Sequence, residues 1–168
     1  MKYWVTTKWP HSIEDDRDEF HYGVYLPDGR ESAAYDMRPN DIVFIYESKN
    51  GRIEKRVKDD GSFQYIKNHN GKEGIVAIVK VTSKIYEIVD SEPTKYKDGT
   101  EIWWRYAVDT DHISSNGFVP RVKLNEVLSY KPRYNLRGFG NMHSGLKEVS
   151  KEQGTELIKE FEKTEIAK

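Results

Sequence analysis

The sequence contains no cysteine, which excludes disulfide bonds, thiolate catalysis and zinc sites built from thiolates. No apolar run approaches the about 20 residues that a membrane-spanning helix requires, and the first residues lack the apolar segment of a signal peptide. We therefore expect a cytoplasmic protein without a membrane partner, and not a transmembrane protein.

The common catalytic signatures are also missing. There is no glycine-rich phosphate loop ending in Lys-Ser or Lys-Thr, no GxGxxG motif after a strand, and no GxSxG nucleophile elbow. The five histidines show no metal-ligand pairing at a spacing of four residues. His112 beside Asp109 and Asp111 fits a solvated turn as well as a metal site. The sequence therefore indicates a protein that is not an enzyme, with no catalytic residues, metal or cofactor.

The sequence does contain ample material for a folded core. With 4 Trp, 11 Tyr and 6 Phe among its 168 residues, the chain can bury a core although 33% of its residues are charged. The length is typical of one domain, so we expect a single domain over residues 1–168.

Positive charge is concentrated in two segments although the net charge is −1. Residues 49–72 carry seven basic and three acidic side chains, and residues 121–147 carry six and one. If the two segments meet on one face, that face favours phosphates and hence nucleic acid. The alternative is that both are loops whose charges simply face water.

The pattern of apolar residues predicts five or six strands with helices at the periphery. The expected strands are 3–7, 22–25, 42–46, 74–81 continuing to 86, 102–108 and 118–124. The expected helices are 12–20, one or two turns over 32–37, a short helix from Asn125 to about Tyr130, and a capped C-terminal helix over 150–166. We expect a basic loop or hairpin insertion over 49–72 and a loop over 132–144. This order predicts an α+β fold with a curved sheet or small twisted barrel.

The aromatic residues lie at strand ends or just beyond them. Trp103 and Trp104 are neighbours on one expected strand, so their side chains must point to opposite faces. An aromatic pocket suits an extruded nucleobase, which is stacked between rings and read by hydrogen bonds at its edge. The alternative is that most of these rings fill the core.

The order of several segments resembles the EVE domain, a PUA-like family related to YTH domains. The resemblance lies in Tyr3-Trp4-Val5, in Gly23-Val24, in residues 37–48 (MRPNDIVFIYES), in Gly74-Ile75-Val76-Ala77, and in residues 144–149 (SGLKEV) before the final helix. Four positions depart from the family pattern: Tyr25-Leu26 replaces Arg-Asn, Asn40 replaces glycine, and Glu47 stands where histidine is usual.

The resemblance implies a small twisted PUA-like barrel whose cleft accepts a modified base, such as methylated or hydroxymethylated cytosine in DNA. Carried over to this sequence, it places the base pocket at Thr6, Thr7, Lys8, Tyr22, Tyr25, Glu47 and Ser48, with Trp103 or Trp104 as a stacking ring. Phosphate contacts would then come from the two basic segments, at Lys49, Arg52, Lys55, Arg56, Lys58, Arg121, Lys131, Arg133 and Arg137.

Three other functions remain open alongside a DNA reader, one of which is a protein-interaction module that would show no affinity for nucleic acid. YTH relatives read 6-methyladenine, so the chain is also a candidate RNA reader, although DNA is the favoured partner. ASCH-type relatives are amidohydrolases on modified cytidines that use a lysine, a threonine and a glutamate, and Lys8, Thr7 and Glu47 could stand in for these. If the domain is the specificity module of a restriction system, an effector nuclease or NTPase is a further expected partner.

Overall fold

The computed structural model of the chain describes residues 1–10, 22–27, 29–51, 53–67, 69–89, 93–95, 101–129 and 145–165. In these ranges the strands are β1 (Tyr3–Lys8), β2 (Val24–Pro27), β3 (Ile42–Glu47), β4 (Ile53–Val57), β5 (Phe63–Lys67), β6 (Gly74–Val81), β7 (Tyr86–Glu87), β8 (Thr94–Lys95), β9 (Glu101–Ile102), β10 (Trp104–Val108), β11 (Thr110–Ser114), β12 (Val119–Pro120) and β13 (Leu146–Val149). The helices are a 3-10 helix (Ser32–Asp36), α1 (Arg121–Val127) and α2 (Lys151–Lys163). None of the described helices is long and apolar enough to cross a membrane.

A mixed sheet of six strands forms the centre of the fold. Its order is β11-β6-β3-β1-β13, with β12 also paired to β6, and only β1 and β3 run parallel. The central strands β3 and β6 are buried along nearly their whole length, which explains their near-continuous apolar sequence. The expectation that these two segments are buried central strands is confirmed.

Helices α1 and α2 cover one face of this sheet, whereas Ala34 of the 3-10 helix packs on the other. Leu157 and Phe161 of α2 lie four residues apart and are fully buried against the sheet in a core that also contains Tyr3 and Phe44. Gly154 permits this close packing, since a Cβ atom there would lie 2.3 Å from the Tyr3 ring. The predicted capping box is present at the start of α2, which runs from residue 151 to 163 instead of 150 to 166.

A second, three-stranded sheet covers the opposite face, in the order β2-β10-β7. Val24, Leu26 and Val108 from this sheet pack with Val43 and Val79 from the main sheet in a second core. The molecule therefore has a layer of helices, a mixed sheet and a smaller sheet, which confirms the α+β class.

Three predicted elements differ in the structure. The strand at 74–81 ends at Val81, and Tyr86–Glu87 pairs with β10 in the second sheet instead of prolonging β6. The strand expected over 102–108 is interrupted at Trp103. The alternating segment 118–124 is a strand only at Val119–Pro120.

Helix α1 begins at Arg121 instead of Asn125. Its buried Leu124 and Leu128 are spaced four residues apart, which is a helical period. Pro120 at the N-cap has an extended conformation, and proline lacks the N–H that a strand needs. The alternation of apolar and polar residues over 118–124 therefore predicted a strand where a helix begins at Arg121.

Strand β11 is missing from the sequence-based assignment because its sequence TDHIS is polar and largely exposed. It places Asp111 and His112 on an edge strand, and the described residues contain no group of three or more His, Cys, Asp or Glu side chains able to hold a metal. The helix expected over 12–20 and the loop expected over 132–144 lie outside the described residues.

The buried carboxylate of Asp41 secures the turn that leads into β3. It accepts hydrogen bonds from the backbone N–H of Lys2, the indole Nε1 of Trp4 and the backbone N–H of Arg38, at 2.9, 3.0 and 3.0 Å. The preceding Asn40 has a φ of 79°, a left-handed conformation that asparagine adopts more readily than most side chains. This explains how asparagine can replace the glycine that is usual in the family at this position.

Candidate functional site

A cavity of about 480 Å³ lies between the two sheets at the end of β1. This volume is in the usual range of about 300–1,000 Å³ for small-molecule sites. The cavity is lined by Thr6, Thr7, Lys8, Trp9, Tyr22, Gly23, Tyr25, Ile45, Ile88 and Trp104. Six of the nine residues expected in a base pocket are therefore brought together around one space, since Glu47, Ser48 and Trp103 do not line it.

The aromatic lining consists of two tryptophans and two tyrosines. Trp9 and Trp104 meet edge to face, with ring centroids 6.1 Å apart and planes at 86°. Tyr22 is buried, whereas Tyr25 is 52% exposed and lies where the cavity opens to solvent. Other aromatic side chains, such as Trp4 and Tyr46, fill the two cores. Some of the aromatic rings therefore pack in the two cores, and others line the cavity.

Gly23 allows the Tyr25 ring to lie close to the backbone. A Cβ atom on Gly23 would approach Cε2 of Tyr25 to 2.9 Å, which is closer than carbon atoms normally come. The absence of a side chain at this position therefore contributes to the shape of the cavity wall.

The floor of the cavity is formed by Thr6 and Thr7. The Thr6 hydroxyl donates to the carbonyl oxygen of Gly145 at 3.0 Å, and the Thr7 hydroxyl accepts from the Gly145 N–H at 3.1 Å. The two adjacent threonines thus fix the residue before β13 against the end of β1. These hydrogen bonds satisfy the hydroxyl groups of Thr6 and Thr7, which are both buried.

Lys8 supplies the positive charge among the cavity-lining residues. Its Nζ lies 3.4 Å from Oε1 of Glu47 and 5.5 Å from the centroid of the Tyr22 ring. The Glu47 carboxylate is fully buried, and its Oε2 accepts from the backbone N–H of Lys72 at 2.8 Å. Glu47 therefore lies beside Lys8 behind the cavity lining, and its expected role at a base stays a prediction.

Ser48 and Trp103 also lie off the cavity. The Ser48 hydroxyl is within hydrogen-bond distance of the carbonyl oxygens of Lys8 and Asn50, at 3.2 and 3.1 Å. It therefore connects the end of β1 with the segment that follows β3. Trp103 falls in the break between β9 and β10, is 38% exposed, and has the guanidinium carbon of Arg105 5.0 Å from its ring centroid. Of the two neighbouring tryptophans, only Trp104 reaches the cavity.

The residues expected to contact phosphates lie in different environments, and the structure describes only some of their side chains. Lys49 and Lys58 are exposed, as a phosphate contact requires. For Lys55 and Arg56 the structure describes the backbone of β4 but not the side chains, and Arg52, Lys131, Arg133 and Arg137 lie outside the described residues.

Arg121 is turned toward the core instead of toward solvent. Its Nη1 pairs with Glu73 Oε1 at 3.1 Å, and its Nε and Nη2 are enclosed without a hydrogen-bond partner among the described residues. Its charge acts on the neighbouring Tyr46, whose pKa is raised to about 12 because burial outweighs the lowering effect of Arg121. Arg121 is therefore enclosed and paired with Glu73, and its expected phosphate contact stays a prediction.

Four cavity residues were absent from the sequence-based site: Trp9, Gly23, Ile45 and Ile88. Trp9 directly follows Lys8, so extending the first strand by one residue would have included it. Ile88 lies beyond β7 in a distant part of the chain, and its backbone N–H donates to the carbonyl oxygen of Arg105 at 2.7 Å. No local sequence signal indicates that position.

Comparisons with known proteins agree with this architecture. The EVE domain family matches residues 2–160 of the chain. Among solved structures, Rpa0253 from Rhodopseudomonas palustris is 15% identical with a TM-score of 0.51, covering 99% of this chain and 97% of that one. Atu2648 from Agrobacterium tumefaciens is 16% identical with a TM-score of 0.51, covering 95% and 92%.

A third similar structure is that of human THYN1 in complex with DNA containing 5-methylcytosine. It is 16% identical with a TM-score of 0.48, covering 95% of this chain and 96% of that one. No curated protein sequence matches the chain significantly. At these identities the structural likeness concerns the fold, whereas the family match extends over nearly the whole sequence. The chain belongs to the EVE domain family.

Proposed function

We propose that the chain is a single-domain nucleic-acid reader that holds one extruded, methylated or hydroxymethylated base of DNA in the cavity at the end of β1. The observation that carries this proposal is an open space lined by four aromatic rings, two isoleucines and one lysine. A planar heterocycle can stack on such walls, while a single charged donor reads its edge.

The energetics support a base-sized ligand. Extruding a base costs a few kcal/mol, and stacking on aromatic side chains returns about 1–3 kcal/mol per base. Burying one added methyl group contributes only about 0.8 kcal/mol, which corresponds to a roughly fourfold preference. Modification should therefore alter affinity modestly, while the rings supply most of the binding free energy.

Lys8 is the residue that we assign to hydrogen bonding with the base. An ammonium group can only donate, so it suits the carbonyl oxygen or ring nitrogen acceptors of a base. The described lining contains no carboxylate. The exocyclic amine of cytosine therefore has no charged acceptor there, in contrast to the expectation for Glu47. Thr6 and Thr7 shape the floor, and Glu47 and Ser48 position Lys8.

The experiment compares binding of matched oligonucleotides by fluorescence anisotropy. Cytosine, 5-methylcytosine, 5-hydroxymethylcytosine and 6-methyladenine are placed at one position in DNA and in RNA, and each is titrated at two salt concentrations. We expect tighter binding to a modified cytosine in DNA. Tighter binding to 6-methyladenine in RNA would instead establish the RNA reader, and equal affinity for all bases would refute both.

Neighbouring tryptophans provide a matched pair of variants for the same assay. Trp104→Ala removes a ring of the cavity and should weaken binding by at least fivefold, the effect expected when one ring no longer stacks on the base. Trp103→Ala removes a ring that does not line the cavity, so its affinity ratio between modified and plain DNA should equal that of the wild type. Equal reductions in affinity in the two variants would contradict the site.

Hydrolysis of a modified cytidine is the second candidate, because Lys8 lies beside Glu47 and Thr7 lines the same cavity. The complete burial of Glu47 and its bond to the N–H of Lys72 leave it poorly placed to activate water, so we favour binding without catalysis. Incubation with an acylated cytidine followed by mass spectrometry distinguishes the two. Release of the acyl group would establish the enzyme.

The proposal also includes phosphate binding by Lys49 and Lys58. It further includes an effector nuclease or NTPase as a partner. Removing one lysine that binds a phosphate should reduce the slope of log K against log salt by about 0.7–0.9, whatever the base sequence. Lys58→Ala should therefore lower affinity equally for modified and plain DNA. A changed preference between the two would place Lys58 at the base instead of at a phosphate.

A further inference from the structure

The hairpin formed by β4 and β5 has an exposed aromatic face that the proposed function has not used. Within the described residues it is a separate two-stranded sheet, joined in register from Ile53 opposite Lys67 to Val57 opposite Phe63. Ile53, Val57, Phe63 and Tyr65 are exposed by 36%, 59%, 52% and 55%. Two-stranded hairpins are marginally stable alone, and clustered exposed apolar side chains usually mark an interaction surface.

These side chains share one face. Phe63 and Tyr65 are two residues apart on β5, so they project from the same side, and their rings meet at 5.6 Å between centroids. Val57 is directly opposite Phe63 in the register, and Ile53 lies four residues before Val57 on the same strand. The four residues Ile53, Val57, Phe63 and Tyr65, which we call the hairpin face, lie on one side of the hairpin and include two rings in contact.

The stem of the hairpin is held firmly against the residues that support the cavity. The backbone N–H of Lys72 donates to Glu47, the Ser48 hydroxyl donates to the carbonyl oxygens of Lys8 and Asn50, and the Gly71 N–H donates to the carbonyl oxygen of Lys49 at 2.9 Å. A Cβ atom on Gly71 would lie 1.7 Å from the Ser48 carbonyl oxygen, so the two chain segments are in close contact. The hairpin therefore begins beside Lys8, at one wall of the cavity.

Charge favours a nucleic acid as the occupant of the hairpin face. Residues 49–72 carry seven basic and three acidic side chains, which suits a polyanion. Two of the acidic residues, Asp59 and Asp60, lie in the turn at the tip, where the hydroxyl and N–H of Ser62 lower the pKa of Asp60 and keep it ionised. Lys58 precedes these two carboxylates in the same turn, so the tip carries charge of both signs, and the face between tip and stem is the surface that we consider for stacking.

We propose that the hairpin face binds unpaired nucleotides next to the base that occupies the cavity, so that the preferred ligand is single-stranded DNA. This rests on the proposed function, because cavity and hairpin face are inferred to bind one strand. Exposed rings can stack only on bases whose faces are free, and in a duplex those faces are covered by neighbouring base pairs. Stacking on exposed aromatic side chains, combined with basic residues, is how single strands are commonly bound.

The length of the hairpin agrees with a short stretch of nucleotides. Each strand has five residues, so the paired region spans about 17 Å. Stacked bases are spaced by about 3.4 Å along a strand, so this length corresponds to about five nucleotides. Affinity for single strands should therefore rise as nucleotides are added on one side of the modified base and then level off.

The test measures wild-type and variant affinities for one modified oligonucleotide of about twelve nucleotides, single-stranded and in a duplex. The double variant Phe63→Ala with Tyr65→Ala should weaken single-strand binding at least tenfold and duplex binding less than twofold. Tyr35→Ala is the matched control, since Tyr35 is 55% exposed on the 3-10 helix away from the hairpin. An equal loss for single strand and duplex, or no loss for either, would overturn the inference.

Two further variants separate stacking from other causes. Phe63→Leu with Tyr65→Leu keeps an apolar patch but removes the rings, so it should lose single-strand affinity like the alanine variant, whereas Tyr65→Phe should retain it. Retention of wild-type single-strand affinity by the leucine variant would overturn ring stacking as the source of that affinity. Because all these side chains are exposed, the thermal unfolding midpoint should stay close to the wild-type value.

Failure of this inference is distinguishable from failure of the proposed function. The ratio of affinities for modified and plain DNA tests the cavity, and it should be the same in wild type and in the hairpin variants. The ratio of affinities for single strand and duplex tests the hairpin face. A wild type that discriminates modification but prefers duplex would leave the reader intact and refute only the role of the hairpin.

Discussion

The Nζ of Lys8 lies 3.4 Å from Oε1 of a fully buried Glu47, whose second oxygen accepts a hydrogen bond from the backbone of Lys72. This arrangement joins β1, β3 and the end of the hairpin stem at one point of the cavity wall. The positive charge of Lys8 stabilises this buried carboxylate, and it also faces the space where a base would bind.

Lys8 and Glu47 should depend on each other for stability. Lys8→Met removes the positive charge that lies 3.4 Å from a fully buried carboxylate, so we expect a loss of about 3 kcal/mol in the free energy of unfolding. Adding Glu47→Gln to Lys8→Met should restore part of this loss, because the amide is neutral and its oxygen can still accept from Lys72. Urea unfolding of both single variants and the double variant measures the coupling. Additive losses would show that the two side chains act independently.

Gly23→Ala should impair binding with little effect on stability. The new Cβ would lie 2.9 Å from the exposed Tyr25 ring, which must move away and alter the mouth of the cavity. The ring is at the end of a flexible side chain, so its displacement should change the free energy of unfolding by less than about 1 kcal/mol. We expect a severalfold loss of affinity by anisotropy, together with an unchanged urea midpoint. An unchanged affinity would remove Tyr25 from the binding surface.

Tyr46 should make the protein sensitive to alkaline pH. Burial raises the pKa of Tyr46 to about 12, above its usual value near 10, so between these values the folded state holds a proton that the unfolded state releases. Stability is therefore retained below about pH 10 and falls as pH rises toward 12, by about 3 kcal/mol in total. Unfolding measured from pH 8 to 11 should show about half of this decline, and Tyr46→Phe should remove the part due to this residue.

Asn125→Leu should stabilise the protein. Asn125 is 2% exposed, and within the described part of the chain neither its Nδ2 nor its Oδ1 has a hydrogen-bond partner. Leucine has the same branching without polar atoms to desolvate, so we expect a gain of about 1 kcal/mol in the free energy of unfolding. Asn116→Leu, at an exposed position, is the control and should have little effect. A loss of stability at position 125 would indicate that Asn125 has a bound water or ion as partner.

Long periodic segments were the most predictable part of the fold. The near-continuous apolar runs of β3 and β6, and the capped, amphipathic α2, have strong local signals and were assigned correctly. Short or polar elements were assigned poorly. The strand β11 has a polar, exposed sequence, and α1 follows a segment whose alternation imitates a strand.

The cavity was only partly predictable for a different reason. Its members on β1 and β2 are close in sequence to the motifs that resemble the EVE family, and the family match extends over residues 2–160. Which of two adjacent tryptophans reaches the cavity depends on the break between β9 and β10, and the place of Ile88 depends on the pairing of β7 with β10. Both features arise from contacts between distant segments.

Composition and apolar periodicity were thus sufficient to predict the α+β class, the two central strands and the final helix, because both report on residues that are close along the chain. Only the folded chain determines that Glu47 pairs with Lys8 instead of facing a base, and that Arg121 is enclosed beside Glu73. The physical reason is that side-chain burial and charge pairing depend on elements brought together from far apart in the sequence. No local pattern of residues encodes those distances.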